Sequence, residues 1–271
     1  MNSIKTIATA LAATTLFAMA GASAAIAGVV VHEDEVVNHG KSPITRSRTI
    51  MIEGNKQKIV TEHDEMVTDL DRGVMYLIVP ARKSYAQMPF PPQGPGSKAA
   101  IEGMATMKFT RTGTHQTVDG YKCEDYRGKS HMMGTESKIV ECFSKDAPGA
   151  KEFTSFQKAM AAKLKGTHAA SMVADIPAGV PMASVTTTNM AGLKIPGMAP
   201  DKAKAFAKMM AKRPPVVTKS HVTKISMRKL SPDTFAVPAG YTLRQPRAPH
   251  AAAGPSGNGS MNKPASHSLP E

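Results

Sequence analysis

GYKCEDYRGKSHMMGTESKIVECF, residues 120–143, holds both cysteines of the chain, and its reading decides the fold. Cys123 and Cys142 stand nineteen positions apart. Their flanks, Tyr121 to Arg127 and Ser137 to Phe143, mix aromatic and β-branched side chains with polar ones, the composition of half-buried strands. Setting Cys123 opposite Cys142 puts the reversal near Met132 and Met133, where Gly134 supplies the positive φ of a tight hairpin. A disulfide across that hairpin is the expected bond. It would stabilise the fold by roughly 3 kcal/mol if the chain matures in an oxidising compartment. Free thiols or a thiolate metal site are the alternatives, and the spacing lacks the second close ligand pair that zinc demands.

The N-terminus bears on the compartment. Lys5 precedes an apolar run from Ile7 to Ala20, followed by Ala22-Ser23-Ala24 and Ala25-Ile26-Ala27, so residues 1–27 read as a secretory signal peptide cut after Ala24 or Ala27. No cysteine follows either site to carry a lipid, so we expect a soluble periplasmic or secreted protein with no transmembrane segment after cleavage. At the other end, residues 246–271 are almost free of large apolar side chains and read as a disordered tail. Between them, residues 28–245 are long enough for one domain with a sizeable core. Lys+Arg 34 against Asp+Glu 21 gives a net charge of +13, which favours anionic partners such as envelope surfaces. Export and Trp 0 argue against nucleic acid.

Working outward from the hairpin, the first half predicts a meander of strands at 29–37, 44–53, 57–61, 66–70, 74–79 and 84–88, separated by glycine and polar turns. The run PFPPQGPG at 89–96 must be a loop, a short helix is expected over 97–104, and strands resume at 106–111 and 114–118. After the hairpin the apolar period lengthens. Phe153, Phe156, Met160 and Leu164 mark a helix capped near Asp146, ended by Gly166; a strand follows at 182–190. Asp201 is expected to cap a second helix carrying Phe206 and Met210, and strands at 216–228 and 235–243 close the body. The fold class is α+β: a strongly curved antiparallel sheet with helices packed in its concave side.

Three stretches, DLDRGVMYLIVPARKSYAQMP at 69–89, TVDGYKCEDY at 117–126 and DTFAVPAGYTL at 233–243, together resemble an exported bacterial family known only as a domain of unknown function. That family is similar in fold to the LolA and LppX group of periplasmic lipoprotein and lipid carriers. The resemblance implies an incomplete, LolA-like barrel holding a hydrophobic ligand such as a lipid or lipoprotein acyl chain. It brings no residue-level site.

The chain has no nucleophile elbow, zinc-protease helix, phosphate loop or dinucleotide fingerprint, so we expect a non-catalytic binding protein without a cofactor. The candidate ligand-cavity residues are Phe153, Phe156, Met160, Leu164, Phe206 and Met210, between sheet and helices. Met 19 raises a second reading, an envelope copper-binding protein using His131, Met132 and Met133, since thioethers with imidazole suit Cu(I). A structural or interaction module of the envelope is a third. Two acidic histidine clusters, His32-Glu33-Asp34-Glu35 and Glu62-His63-Asp64-Glu65, read as solvated strand edges, because alternation splits each between two faces.

Overall fold

The computed structural model describes residues 28–38, 42–93, 108–132, 134–193 and 198–244. The expected signal peptide, the tail from 246 and the helix expected at 97–104 lie outside the described residues. Twelve strands form one open, mostly antiparallel sheet in the order β12-β6-β5-β4-β3-β2-β1-β11-β10-β9-β8-β7.

The first meander comprises β1 (Gly28–Asn38), β2 (Pro43–Glu53), β3 (Lys56–Val60), β4 (Glu65–Asp69), β5 (Val74–Val79) and β6 (Ser84–Pro89). It follows the turn signals closely. The second comprises β7 (Lys108–Val118), β8 (Tyr121–Met132), β9 (Thr135–Ser144), β10 (Val180–Asn189) and β11 (Val216–Arg228). The two expected strands at 106–111 and 114–118 are one, β7, with a register shift between Arg111 and His115. The meanders join where β1 pairs with β11, from Gly28 opposite Arg228 to Asn38 opposite Val217. β1 is therefore central, and its unbroken apolar start, GVVV, has a reason. Val29 and Val31 enter one core with Ile50 and Ile52, while Val30 enters another with Val67, Tyr76 and Ile78. A strand buried on both faces loses its alternation.

The first core is completed by helix α1 (Ala150–Lys163), which brings Phe153 and Phe156 against it. The helix does not start as expected. Asp146 makes no cap; Gly149 is the N-cap at φ 88, and a Cβ there would collide with Val29. Glycine is needed at this close approach. Thr154 on α1 accepts the Gly179 N–H at 3.1 Å and so ties the helix to the start of β10. A short helix, α2 (His168–Ala174), was not expected and packs on α1 through Ala169 and Val173.

Helix α3 (Pro200–Ala211) begins with Pro200 in its first turn, so Asp201 lies inside that turn rather than at the cap. Proline lacks the N–H that position leaves unpaired. The long closing strand expected at 235–243 is absent. Pro232–Phe235 forms a 3-10 turn, Leu230 and Phe235 cover the second core, and only β12 (Thr242–Leu243) joins the sheet, parallel to β6. Pro238 inside the expected strand has no N–H for a ladder.

Candidate functional site

The disulfide between Cys123 and Cys142 is present, with the two Cα atoms 5.4 Å apart, but the register differs from the expected one. Cys142 lies opposite Asp125, and β8 turns into β9 between Met132 and Thr135, with Gly134 at φ 80. The cystine is a diagonal pair on one face, brought together by the twist of the ribbon. It is buried in the main core beside Phe153 and Phe156.

Farther along the same strands the same face opens. Lys108, Lys129 and Lys138 stand directly opposite one another across β7, β8 and β9, and the next row on that face is Thr110, Arg127, Val140. These residues, with Gly128 and Ile139, line a groove of about 470 Å³. Val185 of β10 lies opposite Val140 and extends the apolar track; the two are 40% and 39% exposed, so a pair of large aliphatic side chains faces solvent here. Lys108, Arg127, Lys129 and Lys138 are exposed, and none is within 4.0 Å of a carboxylate of another described residue. Their aliphatic stems add to the apolar wall while the charged ends reach water. The nearest acid along β9, Glu136, sits 3.5 Å from His131.

The sequence reading missed this row. A signal existed, because placing the turn at Met133-Gly134 puts Lys129 opposite Lys138, but the contribution of Lys108 needs the β7–β8 register.

A second polar cluster is part-buried, with Arg48 and Glu141 half-buried around a buried Glu33. Glu33, 5% exposed, accepts two hydrogen bonds from Arg48, at 2.7 Å to Nε and 3.0 Å to Nη2. Glu141 on β9 faces the same pair. Burial first, then the neighbouring Glu33 carboxylate, pushes its carboxyl up to about 7, against a downward pull from Arg48. The first histidine cluster is thus not a solvated edge. β1 has a neighbour on each side, His32 Nδ1 meets Thr49 Oγ1 at 3.0 Å, and Asp34 accepts from Ser47 at 2.7 Å. The second cluster is an exposed turn whose Glu65 pairs with Lys58 at 2.8 Å.

The six residues expected to line a cavity are distributed along three packing regions. Phe153 and Phe156 are in the main core, Leu164 is in the small cluster with Ala169 and Val173, and Met160 bridges the two. Met210 is buried and Phe206 half-buried on α3. Of the copper candidates, His131 is exposed beside Glu136, Met132 ends β8, and Met133 lies outside the described residues. Among the described residues no group of three or more His, Cys, Asp or Glu is arranged to hold a metal, and no helix is long and apolar enough to cross a membrane.

Residues 45–195, more than half of the chain, match the family described as "Domain of unknown function (DUF4412)". The chain belongs to the DUF4412 family. The matched segment runs from β2 to just past β10 and so contains the cystine, the lysine row and α1, but not the β1–β11 pair at the centre of the sheet. No curated protein matches the chain. Among solved structures it is similar to PNGF-II at 7% identity and TM-score 0.39, over 81% of this chain but only 31% of that one. It is also similar to a domain described as an outer-membrane lipoprotein-sorting protein from Vibrio parahaemolyticus, at 8% identity and TM-score 0.29, covering 77% and 88% of the two chains. A LolA superfamily protein from Nitrosomonas europaea gives 6% identity and TM-score 0.29, with 78% and 90% covered.

Proposed function

We propose that this DUF4412 protein is a non-catalytic periplasmic or secreted binding protein that holds a hydrophobic ligand, a lipid or acyl chain. The observation that carries this reading is the groove on β7–β9. Its volume of about 470 Å³ falls within the roughly 300–1,000 Å³ typical of small-molecule sites, and Val140 with the stems of its lysines makes it largely apolar. Val140 and Val185 side by side in solvent have an energetic reason to be covered, since burying the remaining 39% and 40% of their surface gains about 1 kcal/mol each. The disulfide fits an oxidising compartment. In this reading the helices cover the concave side of a curved sheet, with Phe153, Phe156, Met160, Leu164, Phe206 and Met210 as the apolar backing, and the ligand enters at the open end of the cystine-bearing face.

The test is extraction of the purified native protein with organic solvent and mass spectrometry of the extract, with displacement of a fluorescent fatty acid as the solution assay. A co-purified lipid, and loss of probe binding in Val140→Asp, are expected. Absence of both lipid and probe binding defeats the reading.

A further inference from the structure

We infer that the groove selects amphiphiles with an anionic phosphate head group, held by the Lys108–Lys129–Lys138 row while the acyl part runs over Val140 and Val185. This deepens the lipid-binding reading and rests on it.

Three like charges directly opposite one another across adjacent strands destabilise a sheet, because cross-strand Cβ atoms are only about 4.5–5.5 Å apart. Arg127, in the next row on the same face, adds a fourth positive charge about 7 Å along the strands. Such a cluster is usually offset by acids, and here none of the four has a carboxylate partner among the described residues. The two acids placed to help are engaged elsewhere. Asp125 accepts hydrogen bonds from Thr114 at 2.9 Å and Gln116 at 2.7 Å, and Glu136 faces His131. A phosphate supplies several acceptor oxygens to lysine ammonium groups with freely rotating donors, and charge-assisted bonds of this kind are the strong ones. The geometry also orders the ligand. From the lysine row, the next row on β9 and β10 is Val140 and Val185, so head group and chain would find charge and apolar surface in the sequence an amphiphile presents them.

Calorimetric titration of the disulfide-bonded chain with dihexanoyl phosphatidic acid, dihexanoyl glycerol and inorganic phosphate tests the inference. The phosphatidic acid should bind about tenfold or more tightly than the glycerol lipid. Lys129→Gln with Lys138→Gln should close that gap by weakening the phosphatidic acid about tenfold more than the glycerol lipid, whereas Lys151→Gln on exposed α1 surface should leave the gap intact. Circular dichroism melting confirms that each variant is folded. Equal binding of both lipids, or an equal loss in the Lys151→Gln control, overturns the head-group selection while the lipid reading stands. Inorganic phosphate binding as tightly as the phosphatidic acid makes this a free-phosphate site and overturns the inference. Failure of both lipids to bind removes the lipid reading itself.

Discussion

Glu141→Gln should remove one contribution to the pH dependence of stability. In the folded protein the Glu141 carboxyl is raised from 4.5 to about 7, by burial and by Glu33. The unfolded chain keeps the ordinary value. Below pH 4.5 the group is protonated in both states and costs nothing. As pH rises from 4.5 to 7 the unfolded state gives up the proton first, so the folded state binds more protons and stability falls with pH. Above 7 both states are charged and the folded state carries the whole penalty. At about 1.4 kcal/mol per pH unit, the rise from 4.5 to about 7 corresponds to about 3 kcal/mol. Glutamine has no charge to lose. Its stability relative to wild type should therefore improve by about 3 kcal/mol between pH 4 and pH 8. The measurement is urea unfolding of both proteins at each pH, followed by far-ultraviolet circular dichroism because the chain has no tryptophan. Comparing the variant with wild type at the same pH cancels the other carboxylates. An equal stability difference at both pH values would refute the burial argument.

Two further outcomes follow from the packing. Reduction of Cys123–Cys142, or replacement of both by serine, should cost about 3 kcal/mol in the chain-entropy picture, and an unchanged melting temperature under reductant would remove the cystine's role as a staple. Gly149→Ala should destabilise by about 3 kcal/mol, from the left-handed backbone and the overlap with Val29 together. Gly120→Ala is the control, since Gly120 has a similar φ of 80 but no atom within 4 Å of its Cβ position, and it should cost only about 1 kcal/mol. Equal losses at the two glycines in urea titrations would show that packing on Val29 does not matter.

Hairpins were the legible part of this protein. The turns between β2 and β6, the existence of the β8–β9 hairpin though not its register, the limits of β11 and the Phe153–Leu164 stripe along α1 all rest on contacts between residues near in sequence, where alternation and turn chemistry suffice. The misread end, 235–243, had strand-like side chains and a proline that forbids the ladder. Asp146 and Asp201 had the right chemistry for helix caps, yet a close approach to Val29 and the position of Pro200 chose other residues.

What the amino-acid sequence by itself determined was the antiparallel character, the cystine, and family membership carried by motifs within 69–89 and 117–126. Only the tertiary structure decided that β1 meets β11. That pairing joins residues nearly 200 positions apart, makes β1 a central strand and covers the far side of Glu33, whose partner Arg48 comes from the local β1–β2 hairpin. The lysine row has the same origin. Lys129 and Lys138 follow from a local turn, but Lys108 reaches them through a separate strand pairing. Long-range pairing is set by the sum of many weak contacts rather than by any short pattern, so charge rows and burial across it become visible only once the sheet is assembled.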